Sequence, residues 1–232
     1  MQRGRTGAPM KRRSTASYFD VDGTLVSSNL IEPTLYFLRN QGTPLKSARH
    51  VGSALLKAPG MVLAEMRDRR LFNELLYSAY QGMSEDRTVV LSQEVYKNVL
   101  LARLYPFSRD LISQAKRAGH RVVLISGALQ SVLEHLAEDL GADDVIANRL
   151  EMKDGIATGK MLHPVVAGPA KARLIRQHAR LHGFDLDECF GYSDSYSDVP
   201  MLSVVGHPAA VNPDKRLALL ARAYDWPILS LK

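Results

Sequence analysis

Short apolar, β-branched runs alternate with helical segments along most of this 232-residue chain, and that alternation constrains its fold most strongly. Strand-like runs fall at 17–21, 121–125, 144–148, 188–192 and 209–211. Helical patterns fill 108–118 and 130–140, and glycines at their ends, Gly119 and Gly141, supply stop signals. A further helix is expected over 169–182. Repeated strand–helix–strand order predicts an α/β chain with a mostly parallel sheet and helices on both faces. The stretch 152–162 breaks the rule with Asp154-Gly155, a turn signal, and is expected to be a small hairpin.

Residues 29–104 interrupt the alternation. They carry no convincing strand, and helical patterns at 35–39, 48–57, 62–80 and 84–102 are punctuated by Gly42, Pro44, Pro59, Gly60 and Gly82. The expected organisation is a basic arm over 1–15, a core over 16–28 and 105–232, and an all-helical insertion over 29–104. The net charge of +6 is concentrated in the arm, where Arg3, Arg5, Lys11, Arg12 and Arg13 face no acid. Removing those five from the 30 Lys and Arg leaves 25 against 24 acids, so the body is near neutral. That favours a disordered, solvated arm over a nucleic-acid partner. A single cysteine, Cys189, excludes an intramolecular disulfide and fits a reducing, cytoplasmic location. No apolar run reaches the roughly 18 residues that cross a bilayer. Residues 1–16 lack the apolar stretch of a secretory leader.

Four polar clusters lie at or beyond strand or helix ends, where open α/β sheets place their sites. Asp20 and Asp22 close the first strand, followed at once by Gly23 and Thr24. Within a strand, an i, i+2 pair shares one face; a loop at Gly23 would turn the two apart. Carboxylates this close repel unless a cation lies between them, which points to a hard, oxygen-liganded metal. Ser126-Gly127 follows the second strand and is expected to open the next helix, where a hydroxyl and free N–H groups suit a phosphate. Lys171 falls near the start of the 169–182 helix, against the helix dipole, so a neighbouring anion is expected. The run Gly191-Tyr192-Ser193-Asp194-Ser195-Tyr196-Ser197-Asp198 puts more carboxylates in a loop after a strand.

Over about residues 16–227, these clusters, in this order, resemble the haloacid dehalogenase superfamily. They resemble most its phosphoserine-phosphatase-like branch, whose helical cap is inserted between the first and second motifs. The resemblance implies a Rossmann-like core with 29–104 as the cap. It also implies a Mg2+-dependent phosphomonoester hydrolase working through an aspartyl-phosphate. Asp20 would attack phosphorus. Asp22 would protonate the leaving alcohol and then activate water, which requires a raised pKa. Ser126 and the Gly127 amide would hold phosphoryl oxygens, and Lys171 would neutralise Asp20 and the transferring group. Asp194 would ligate Mg2+ with the Asp20 carboxylate and the Asp22 carbonyl. Asp198 would orient Lys171 or a metal-bound water, with Thr24 in support. One Mg2+ and one lysine supply about three positive charges against a dianionic ester, and such electrostatics dominate phosphoryl transfer.

Each residue also has an ordinary reading. Asp-Gly is common turn chemistry, Ser126 could be only an N-cap, and Lys171, Asp194 and Asp198 could be solvated polars. Only their joint order outweighs these. The seven histidines show no metal-ligand spacing; His178 and His182 are i, i+4 but lack a third ligand. Cys189 reads as a small buried hydrophobe. Where relatives in the branch carry a head-group glutamate, this chain has Asn29, with Glu32 three residues on, which argues against phosphoserine. Ser193, Ser195 and Ser197 replace the branch's usual Gly, Gly and Asn, and their hydroxyls could still reach phosphate or water. Arg67, with Arg69 and Arg70, is a solvated helix face by default and otherwise a capture site for an anionic group. The expected substrate is a small phosphorylated alcohol or lipid-derived phosphate. Phosphoserine phosphatase, a phosphotransferase and a non-catalytic phosphate-binding module are the alternatives.

Overall fold

The computed structural model describes residues 15–40 and 69–231, with residue 69 described by its main chain alone. Residues 1–14 of the expected arm, the expected helix over 48–57, the first part of that over 62–80, and Arg67 lie outside the described residues.

The chain runs β1 (Ala16–Phe19), α1 (Ile31–Asn40), α2 (Arg69–Tyr77), α3 (Glu85–Val95), α4 (Ser108–Arg117), β2 (Arg121–Leu129), α5 (Gln130–Leu140), β3 (Asp144–Asn148), β4 (Leu150–Lys153), β5 (Ile156–Met161), α6 (Pro169–His182), β6 (Phe190–Ser193), α7 (Val199–Leu202), β7 (His207–Val211), α8 (Lys215–Ala223) and β8 (Ile228–Leu229). Six strands form one parallel sheet in the order β3-β2-β1-β6-β7-β8. A parallel sheet is covered on both faces, and the alternation within its strands shows how. Phe19, Val122 and Leu124 pack with Ile112 of α4 and Leu133 and Leu136 of α5. Their neighbours Tyr18, Val123 and Ile125 pack on the other face with Ile175 of α6, Met201 and Leu202 of α7 and Leu217 of α8. Each such buried side chain stabilises the fold by about 1.5–3 kcal/mol. Gly141 ends α5 in the left-handed conformation (φ 69°), as expected.

The β4–β5 hairpin lies apart from this sheet, and its turn residues Asp154 and Gly155 both have positive φ, the geometry that favours Asp-Gly in two-residue hairpin loops. The described part of the insertion is helical, as the sequence leads one to expect. Its α3 runs on through a π-helical turn, Tyr96–Leu100, into Leu101–Arg103. The chain leaves the core and returns to it side by side: the Ser27 N–H donates to Arg103 O (2.7 Å) and the Tyr105 N–H to Leu25 O (3.0 Å). The insertion is thereby anchored at the carboxyl end of β1.

Candidate active site

In the sheet order, β2 and β3 lie to one side of β1 and β6, β7 and β8 to the other. The reversal falls between β1 and β6, and crevices for ligands open at such a point beyond the carboxyl ends of the strands. Here a cavity of about 250 Å3 is lined by Asp20, Asp22, Lys171, Asp194 and Asp198, together with Ser28, Asn29, Leu30, Phe72, Asn73 and Gly127 among others. All four clusters singled out in the sequence meet at this edge.

Asp20 is the first residue past β1, its N–H donating to Tyr192 O on β6 (2.9 Å). A tight turn follows, in which Thr24, Leu25 and Val26 all donate to Val21 O. Gly23 makes it possible: its φ is +84°, and a Cβ there would collide with the Asp194 carboxylate. The turn separates the two acids. Asp20 faces Lys171 and Thr24, whereas Asp22 Oδ2 accepts from Ser126 Oγ (2.8 Å).

Lys171 Nζ donates to Asp20 Oδ1 (2.6 Å) and Asp198 Oδ2 (2.7 Å), with all three residues buried. Burial pushes the ammonium's pKa down, but the Asp198 and Asp20 carboxylates outweigh it and hold the pKa above the usual lysine value. The conflict between Lys171 and the dipole of α6 is thus relieved by two fixed carboxylates. Asp198 also accepts from Ser193 Oγ (2.9 Å).

Thr24 Oγ1 lies 3.1 Å from Asp20 Oδ2 and 3.2 Å from Asp194 Oδ1, and accepts from the Asp194 N–H (3.0 Å). It ties the two acids together. Burial, and then the charge of Asp20, push the Asp194 carboxyl up to about 7. A crowded, desolvated pair of oxygen donors is what a hard divalent cation relieves, so these residues fit Mg2+. A carboxyl held above its unfolded value of 3.8 contributes most stability where it is protonated and loses that contribution as pH rises through about 7. Without added metal, Asp194 is therefore expected to lower Tm as pH rises from about 5 to about 7, opposed up to about pH 6.5 by His120 and His178, whose pKa values burial lowers. The rise in Tm on adding Mg2+ should be larger at the higher pH, at about 2–4 °C per kcal/mol. An equal rise at both pH values would count against cation binding at Asp194.

Several local expectations need correction. Gly127 does not open a helix: β2 continues to Leu129 with a shift of register against β3, and α5 starts at Gln130. Ser126 is fully buried, accepts from the Ala128 N–H (3.0 Å) and steadies Asp22; the cavity wall holds Gly127 but not Ser126. Asn29 lines the cavity, but its Oδ1 accepts from the N–H groups of Ile31 (2.9 Å) and Glu32 (3.4 Å), capping α1. Glu32 pairs with Arg103 (3.1 Å), away from the cavity. Ser193, Ser195 and Ser197 bond to Asp198 and to one another, bracing the loop, and are not part of the cavity wall. Arg70 is exposed and pairs with Glu74 along its helix (2.9 Å).

Sequence reasoning missed Ser28 and Asn73, small neutral residues without a motif. It also missed that Asp144 joins His178 and His182, their nearest ligand atoms lying within 4.8 Å of one another. That trio sits at the opposite edge of the sheet, and Asp144 is held by both Nε and Nη2 of Arg121. The guanidinium occupies the position of the counter-charge, so the trio is accounted for as an ion-pair network.

The family model described as haloacid dehalogenase-like hydrolase matches residues 18–203. The chain is 35% identical over 221 residues to the "Inhibition of morphological differentiation protein" of Streptomyces azureus, covering 93% of this chain and 78% of that one. It is 32% identical over 224 residues to the "Phosphoserine phosphatase SerB1" of Mycobacterium tuberculosis, covering 93% and 70%. Among solved structures, "Phospho-Aspartyl Intermediate Analogue of Phosphoserine phosphatase" superposes with a TM-score of 0.67 at 20% identity, covering 95% of each chain. That likeness establishes the fold.

Proposed function

We propose that this chain, which belongs to the haloacid dehalogenase-like hydrolases, is a Mg2+-dependent phosphatase that hydrolyses a small phosphomonoester through an aspartyl-phosphate on Asp20. One observation carries the reading: a buried ammonium shared by Asp20 and Asp198 (2.6 and 2.7 Å) at the carboxyl edge of the sheet, with Asp22 and Asp194 in the same cavity. A carboxylate attacking a dianionic ester needs positive charge fixed beforehand, and Lys171 supplies it.

In the first step an Asp20 oxygen bonds to phosphorus and the bond from phosphorus to the alcohol oxygen breaks. Asp22 gives its proton to that oxygen. In the second step Asp22 takes a proton from water, the water oxygen bonds to phosphorus, and the acyl-phosphate bond breaks to release phosphate and restore Asp20. Splitting the reaction exchanges one hard displacement for two easier ones. Ser126 fixes one oxygen of Asp22 so that the other can serve the leaving group. The Gly127 amide is the remaining candidate to hold a phosphoryl oxygen, and Asp198 positions Lys171. Asp20, Asp194 and the Asp22 carbonyl would hold Mg2+, which would supply positive charge to offset that on the transferring group.

Phosphoserine is the second reading, favoured by the name of the Mycobacterium relative. A phosphate-release panel with phosphoserine, phosphocholine, glycerol phosphate and lysophosphatidate, with and without Mg2+, tests both. Mg2+-dependent release from a neutral phosphoalcohol supports the main reading. Phosphoserine leading by a wide margin selects the second, and release unaffected by chelation contradicts the metal assignment.

A further inference from the structure

Two polar atoms buried beside the reacting groups, Ser28 Oγ and Asn73 Oδ1, have no hydrogen-bond partner among the described residues. Ser28 is 5% exposed and Asn73 2%, and both line the cavity that holds Asp20, Asp22 and Lys171. Leaving such an atom unsatisfied is costly, so a pair sharing one chamber calls for a common explanation. They come from separate elements, Ser28 from the link between β1 and α1 and Asn73 from α2 of the insertion. Asn73 is pressed close to Gly127, where a Cβ would come within 2.9 Å of Asn73 Nδ2 and 3.3 Å of Leu30 Cδ1. This side of the cavity is completed by the apolar Leu30 and Phe72. Among the described residues that line it, charge resides in Asp20, Asp22, Asp194, Asp198 and Lys171.

We propose that Ser28 and Asn73 form an uncharged subsite for the alcohol half of the substrate, selecting a phosphomonoester that carries a neutral hydroxyl near its phosphate. The inference rests on the phosphatase reading above and narrows its substrate class. The match follows from donor and acceptor counting. A hydroxyl can both donate to Asn73 Oδ1 and accept from Ser28 Oγ, so it matches the chemistry of either orphan. An ammonium only donates and leaves the Ser28 proton unmatched. A carboxylate only accepts and sets an anion against Asn73 Oδ1. An alkyl group leaves both atoms unsatisfied.

The test compares kcat/KM for glycerol phosphate, propyl phosphate and phosphoserine in the wild type, Ser28→Ala, and Asn73→Leu. Sites built to bond a hydroxyl reject analogues lacking it, so glycerol phosphate is expected to exceed propyl phosphate by about tenfold or more. That ratio should collapse to within about threefold of unity in Asn73→Leu and fall part of the way in Ser28→Ala, whatever the absolute rates. Ser28→Ala removes one oxygen atom, so it covers the case in which Asn73→Leu fails to fold. Calorimetric binding of the same three esters to the Asp20→Asn protein gives a readout independent of turnover and should show the same order. Equal handling of glycerol and propyl phosphate, a phosphoserine preference, or an unchanged ratio in Ser28→Ala overturns the subsite. If no ester is hydrolysed by the wild type but the Asp20→Asn protein still prefers glycerol phosphate, the hydrolase reading fails and the subsite stands.

Discussion

Asp20→Asn is expected to cut phosphate release by about three orders of magnitude or more while the protein stays folded. The substitution keeps the side chain's shape and removes only its ability to attack. Asp20 Oδ1 accepts from Lys171 and Oδ2 from Thr24, and an asparagine oxygen can keep one of these bonds. Lys171 retains Asp198 as a counter-ion, so no buried charge is left alone. The change also removes one of the negative charges that push up Asp194, which partly offsets the lost hydrogen bond. Initial rates at saturating Mg2+, set beside thermal melting, check both halves of the expectation. A rate near that of the wild type would exclude Asp20 as the nucleophile.

The second large effect is on stability. Lys171→Met should destabilise the protein by about 3–5 kcal/mol, the usual cost of breaking a buried ion pair by removing one partner. Lys171 is 4% exposed, and its loss leaves Asp20, Asp198 and Asp194 crowded in one chamber without the ammonium. The rate should also fall, by about 10²-fold or more, because charge aimed at the transferring group is gone. Adding Asp198→Asn to Lys171→Met should restore part of the stability, because it removes an uncompensated carboxylate. Denaturant unfolding of the two single variants and the double one gives the coupling directly. Additive losses, or a loss under about 1 kcal/mol for Lys171→Met, would show that the buried pair does not hold the site together.

The sheet was legible because its physics is local. Residues 144–148, 130–140 and 169–182 form the expected elements with the expected ends, since apolar period, glycine stops and a proline at the helix start all agree there. Strand ends elsewhere moved by one to four residues: β2 runs on to Leu129, because pairing with β3 carries the extended chain past Ile125. The short edge strand β8 escaped notice, for Ile228–Leu229 is too brief to show a period. The acids and the lysine could be read because their types are rare in buried positions and their order is informative. The partners of Ser126 and Asn29 could not be read, since a hydroxyl or amide gives no hint of whether it will meet a ligand, an acid or a backbone N–H. Ser28 and Asn73 were invisible for the same reason: only three-dimensional proximity to Lys171 and Gly127 sets them apart. Asp144 could join His178 and His182 only after β3 and α6 had packed together.

The most direct test is acid quenching within a single turnover, followed by peptide mapping for a phosphoryl group. With Asp20 as the attacking carboxylate, one phosphoryl group should accumulate on the peptide containing Asp20, with stoichiometry approaching one per chain when breakdown is slower than formation. It should be absent from the Asp20→Asn protein and from samples without Mg2+. Stoichiometric release of the alcohol together with phosphate, with no label on that peptide at any quench time under conditions that preserve acyl-phosphates, would contradict covalent attack by Asp20.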